Sequence, residues 1–83
     1  MGTVFRQDDL AFRIYPNDHI PRHVHVVSPD SEAKIVIPDE NGRAFVIENY
    51  GFSSKDLKKA VALVQQNQAR LLKKWNEYHG KSK

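Results

Sequence analysis

Residues 47–64, IENYGFSSKDLKKAVALV, decide how this chain is read. Before this point apolar residues come in short runs cut by turn residues; beyond Ser53 they recur every three or four positions. Residues 44–49 read as the last of a series of short strands. Ser53 is placed to cap a helix, and Asp56 three residues on makes a capping-box-like start that sets an acid at the positive helix end. Leu57, Val61, Val64, Gln68, Leu71, Trp75 and Tyr78 follow in steps of four and three, one stripe down the helix. Lys55, Lys58, Lys59, Arg70 and Lys73 fall on the opposite side of the wheel, with Lys74 at its margin. The pattern predicts one long amphipathic helix over 53–80, with any kink at Gln65-Gln66-Asn67-Gln68, where polarity invades the stripe. Gly80 is its stop, and residues 81–83 are a frayed tail.

Toward the N-terminus the period falls to two. Residues 4–6 and 10–15 flank Gln7-Asp8-Asp9 as a hairpin, and Leu10, Phe12 and Ile14 alternate with Ala11, Arg13 and Tyr15. Residues 16–21 are a loop, because each proline fixes its own φ and turns the preceding residue from helix. A third strand covers 23–28, a Pro-Asp-Ser-Glu turn leads into 33–37, and Pro-Asp-Glu-Asn-Gly closes the next turn. The expected fold is α+β: one domain over 1–83, β-rich to residue 52, with four or five short antiparallel strands covered on one face by the helix. Its predicted core sets Leu57, Val61, Val64, Leu71 and Trp75 against Phe12, Ile14, Val24, Val26 and Ile35.

With 83 residues the chain is near the small end of what buries a core unaided, so leftover apolar surface makes a homodimer an expectation. It has no cysteine, which excludes disulfides, thiolate nucleophiles and cysteine metal sites. No apolar run approaches the roughly 20 residues that span a bilayer. The first ten residues lack a signal-peptide pattern, and Arg6 sits where a myristoylation motif needs Ser or Thr, so a cytoplasmic protein without membrane attachment is expected. Charge is unevenly spread. Through Phe52 five Lys/Arg stand against eight Asp/Glu, a net of −3; from Ser53 eight stand against two, a net of +6. Such a basic helix fits contact with nucleic acid or an acidic protein, although a lysine-rich helix face is more often simply the solvated one.

The chemistry-bearing stretch is NDHIPRHVHV, residues 17–26, which holds three of the four histidines. If Val24 and Val26 face the core, strand alternation turns His23 and His25 together to the other face, outward beside Arg22. Packing or hydrogen bonds to neighbouring strands is one reading of that pair; with His19 swinging in it also suits an acid–base or recognition surface first and a divalent metal site second, with Asp18 as an oxygen ligand or acceptor behind a ligand. Arg22 and Lys34 would stabilise phosphate charge in phosphodiester chemistry at His19, His23 and His25. No nucleophile elbow, P-loop or dinucleotide fingerprint accompanies them, and no organic cofactor is expected.

The segments DHIPRHVHV, EAKIVI and GFSSKDLKKAVALVQQNQARLLKKWNEYHG together resemble a small bacterial family catalogued as domain of unknown function 4160. The family pattern falls on Asp18, His19, Pro21, His23, His25, Lys34, Trp75, Asn76 and Glu77. Arg22 stands where the family usually has a second proline, and His79 where an aromatic is common. The resemblance implies a sheet-then-helix fold and a gene encoded beside another small protein, as in toxin–antitoxin pairs. Two functions follow as expectations. One is an interaction module that binds the neighbouring gene's product, and nucleic acid as well, through Arg22, Lys34, Lys55, Lys58, Lys59, Arg70, Lys73 and Lys74. The other is a small histidine-dependent hydrolase or nuclease.

Overall fold

The computed structural model describes residues 3–19 and 21–80. Five strands form one antiparallel sheet in chain order: β1 (Thr3–Gln7), β2 (Leu10–Arg13), β3 (His23–Val27), β4 (Glu32–Val36) and β5 (Val46–Tyr50). The β1–β2 loop is the two-residue Asp8-Asp9, both at positive φ (54° and 67°), the conformation whose twist matches paired strands. Aspartate tolerates that region better than most residues.

Directly opposed residues of antiparallel strands share a face, so the register sorts the sheet into two. Phe5, Phe12, Val26 and Ala33 lie on one face with Val24 and Ile35. Ala11, Arg13, His25, Lys34 and Glu48 lie on the other, with His23, Val27, Glu32 and Tyr50. The first face packs under the helices in a core that includes Phe12, Ile14, Val24, Val26, Ile35, Ile37, Val64, Leu71 and Trp75.

The single long helix expected from the stripe is instead two: α1 (Ser54–Gln66) and α2 (Gln68–Trp75), followed by a π-helical turn, Asn76–Gly80. Ser53 caps α1 by accepting from the Asp56 amide at 3.1 Å. The break is at Asn67, within the polar run, and the structure shows what that run does. Gln65 accepts from the Ala44 amide at 2.7 Å and donates to the Gly42 carbonyl at 3.3 Å. Gln68 donates to the carbonyls of Pro38 (3.1 Å) and Asp39. These amides satisfy the backbone of the β4–β5 connection, which has no sheet partner there. Breaking the helix lets one stretch serve the loop and still turn Leu71 and Trp75 into the core.

The core differs from the expected one on α1. Ala60, Leu63 and Val64 are buried, while Leu57 and Val61 are only partly so. A stripe drawn through Leu57, Val61 and Val64 is therefore rotated by part of a turn from the buried face. Leu57 and Val61 instead line an apolar groove with Val46, Ser54 and Lys58 beside β5. None of the described helices is long and apolar enough to cross a membrane.

Replacing Gln65 by Ala leaves the buried Ala44 amide without its acceptor. The expected cost is about 1–3 kcal/mol, read as a lower urea midpoint with an unchanged m-value. A midpoint equal to wild type would show that water replaces the amide.

Candidate functional site

The histidine face of β3 is covered, contrary to the outward presentation expected from alternation. His23 and His25 are 8% and 7% exposed. What covers them is the β2–β3 connection. Tyr15 and Asp18 bracket a tight turn with Pro16 and Asn17 between them, proline in the position that suits its fixed φ. The Asp18 amide donates to the Tyr15 carbonyl at 3.1 Å, and the Asp18 carboxylate accepts from the Tyr15 amide at 3.1 Å. This reciprocal pair aims the second carboxylate oxygen at the histidines: Asp18 Oδ1 lies 3.2 Å from His25 Nε2 and 3.6 Å from His23 Nε2.

The other ring nitrogens are held from behind. His23 Nδ1 is 2.9 Å from the Pro21 carbonyl, and His25 Nδ1 is 3.0 Å from Glu32 Oε2. Both oxygens only accept, so these contacts are hydrogen bonds when each Nδ1 carries the proton; each Nε2 is turned toward Asp18, whose Oδ1 likewise accepts when His25 Nε2 is protonated. Two Nε2 atoms and a carboxylate oxygen then face one another, an arrangement completed by a positive charge: a proton on one Nε2, or a metal ion. Burial opposes the charged form of Asp18, but the Tyr15 amide and the hydrogen bond and charge of His25, with His23 behind, outweigh it. Its carboxyl is held below the usual range.

Aromatic rings fix the imidazoles. Tyr15 meets His25 edge-on at 4.8 Å between centroids, His23 and His25 meet at 5.0 Å, and Trp75 lies 5.8 Å from His23. His79, on the π-helical turn, packs on Trp75 at 4.0 Å and donates from Nε2 to the Tyr15 carbonyl at 3.2 Å. It thus joins the cluster as a brace around Trp75 and Tyr15.

Of the expected trio, His23 and His25 converge, whereas His19 is exposed and outside the converging group. His19 lines a shallow cleft with Asp18, Pro21, His23, Lys34, Ile47 and Glu48. Lys34 pairs with Glu48 at 3.3 Å, and the Tyr50 hydroxyl donates to Glu48 at 3.0 Å; these two contacts hold the Glu48 carboxyl below the usual range. Arg22 donates from Nε to the Ile37 carbonyl at 3.3 Å.

The helix cations do not gather here. Lys55, Lys58 and Lys59 stand on α1, across the sheet from the histidines, and Lys73 is exposed on α2. Arg70 lies over the Phe5 ring at 4.6 Å, and Lys74 pairs with Glu77 at 2.8 Å. Glu32 is absent from the sequence-based candidates. Its signal was the register of the β3–β4 hairpin, which sets it diagonally beside His25 on the same face.

A model of the family described as domain of unknown function (DUF4160) matches residues 10–76. The chain belongs to that family. The match takes in Asp18, both buried histidines, Glu32 and Trp75. No curated protein and no solved structure matches the chain.

Asp18 supplies a pH test, made with a chelator present. Its folded pKa is depressed, so its contribution to stability is complete above the unfolded value of about 3.9 and is lost as pH falls through the folded value. Asp18→Asn is expected to cost about 1 kcal/mol near neutral pH, a difference from wild type that shrinks in melts below about pH 4. A difference that stays constant to pH 2.5 would remove the charge from the account.

Proposed function

We propose that this chain is a protein-binding module, one component of a toxin–antitoxin-like pair, and that β5 with its adjoining groove receives the partner. The observation that carries this reading is the concentration of exposed apolar side chains on one edge of the sheet. Phe45, Ile47 and Tyr50 are 59%, 40% and 60% exposed, and all lie on β5 or the residue leading into it. Leu57 and Val61, only partly buried against the core, line an apolar groove with Val46 on the helix side of the same edge. Large exposed apolar side chains gathered along one sheet edge mark an interaction surface.

The opposite edge is treated differently. On β1, Phe5 stacks on Phe12 at 4.4 Å and is capped by the Arg70 guanidinium, and Arg6 and Gln7 are exposed. Such an edge discourages strand addition, whereas β5 invites a partner.

The partner's chemistry follows from the rim. Lys58 lines the groove, and Lys55 lies on the same exposed turn of α1. The occupant that fits is an acidic amphipathic segment whose apolar side chains cover Val46, Leu57 and Val61. The neighbouring gene's product, implied by the family's gene arrangement, is the first protein to try. A histidine-dependent hydrolase is the less supported reading, since no nucleophile motif accompanies His23 and His25 in the sequence and His19 stands outside their cluster.

Ile47→Asp and Val61→Asp change partly exposed residues and are expected to leave the fold intact while weakening partner affinity at least about tenfold, or 1.4 kcal/mol. Titration calorimetry with the neighbouring gene's product reads this. Unchanged affinity in both variants would exclude the β5 surface. Tight binding of RNA or DNA that falls steeply with salt, without protein binding, would favour the lysine face instead.

A further inference from the structure

We infer that Asp18, His23 and His25 form a binding site for one first-row divalent transition-metal ion, with Zn²⁺ as the fitting case. The inference concerns a different part of the molecule from the β5 strip and stands independently of it. Three ligand atoms, Asp18 Oδ1, His23 Nε2 and His25 Nε2, lie within 4.8 Å of one another. Ligands about 2.0–2.1 Å from a tetrahedral ion lie roughly 3.3 Å apart. The two oxygen–nitrogen edges here are 3.2 and 3.6 Å, close to that spacing, and the nitrogen–nitrogen edge, bounded at 4.8 Å, would close on binding.

Three ligand atoms near one another do not by themselves make a site, and the second observation is the orientation of the rings. A metal-ligating histidine ordinarily donates its other N–H to a carbonyl or carboxylate, which fixes the tautomer and raises ligand basicity. Both histidines have that partner: Pro21 O at 2.9 Å behind His23 and Glu32 Oε2 at 3.0 Å behind His25. The rings are also immobilised by Tyr15, Trp75 and each other, so little rotamer freedom is lost on binding.

Imidazole nitrogen and one carboxylate oxygen favour zinc and its first-row neighbours over magnesium or calcium, which take mainly oxygen ligands. Asp18 and His23 also line the cleft with His19, Lys34 and Glu48. A fourth coordination position therefore opens toward solvent, where water or an incoming carboxylate or imidazole completes the sphere.

The test is titration calorimetry of the full chain, purified with chelator and dialysed, against Zn²⁺ alone, with Co²⁺ absorption as an independent readout of coordination geometry. Wild type is expected to bind one Zn²⁺ per chain saturably, and Co²⁺ to give the intense visible bands of a four-coordinate N/O site. Asp18→Asn, checked for folding by circular dichroism, is expected to weaken binding at least about tenfold, and Glu32→Gln, which leaves every ligand in place, by about tenfold or more. His19→Ala should bind as wild type. Absence of saturable binding by wild type would overturn the site. So would Asp18→Asn and Glu32→Gln both binding as tightly as wild type, or loss of binding in His19→Ala, which would assign the metal to the surface histidine.

Discussion

A strand in the middle of a sheet cannot hide its side chains at an edge, and β3 carries valine and imidazole by turns. Val24 and Val26 fill the core beneath the helices, so His23 and His25 must occupy the other face. Burying an imidazole there requires a hydrogen-bonding partner for each nitrogen, since an unpaired buried polar group costs roughly 1–3 kcal/mol. Much of the rest of this face follows from meeting that demand. The 15–18 turn brings Asp18 within hydrogen-bonding reach of His25 Nε2 and to 3.6 Å from His23 Nε2, the backbone at Pro21 receives one Nδ1, and the β3–β4 register delivers Glu32 to the other.

The helical half is shaped to the same end. The glutamines of the helix break are anchors for the β4–β5 connection, and the change of direction at Asn67 carries α2 to the end of the sheet where Trp75 meets His23. The π-helical turn then returns His79 onto Trp75 and Tyr15. Sheet and helices thus meet at the histidines as well as in the apolar core, which is why a tryptophan near the C-terminus bears on chemistry set by residues 15–32.

The strands and the start of α1 were legible because they depend on local period and capping: Leu10, Phe12 and Ile14 alternate, and Ser53 with Asp56 marks the helix start. The polar run marked where the helix would bend, but its purpose was not legible, since the partners of Gln65 and Gln68 lie 21 to 30 residues away. Leu57 and Val61 pack at the margin of the core and not in its centre, because a stripe specifies a helix face only to within part of a turn. The pairing of His23 with His25 was readable from the period of two. Their burial was not, because it depends on a turn folding back over the sheet. His19, the residue that follows that turn, lines the cleft instead, and the Tyr15–Asp18 hydrogen bonds give Asp18 the inner place.

The polar face therefore holds an ordered cluster at the centre, and the cleft that Ile47 and His23 share joins it to the β5 edge. The central claim is that both buried imidazoles are oriented by protonated Nδ1 atoms, leaving Nε2 turned to Asp18. Long-range ¹H–¹⁵N correlation NMR of the histidine rings in metal-free protein tests it most directly. The account predicts a protonated Nδ1 in both His23 and His25 at neutral pH, whether or not a proton also occupies an Nε2. A bare Nδ1 with the proton on Nε2 in either ring would contradict it.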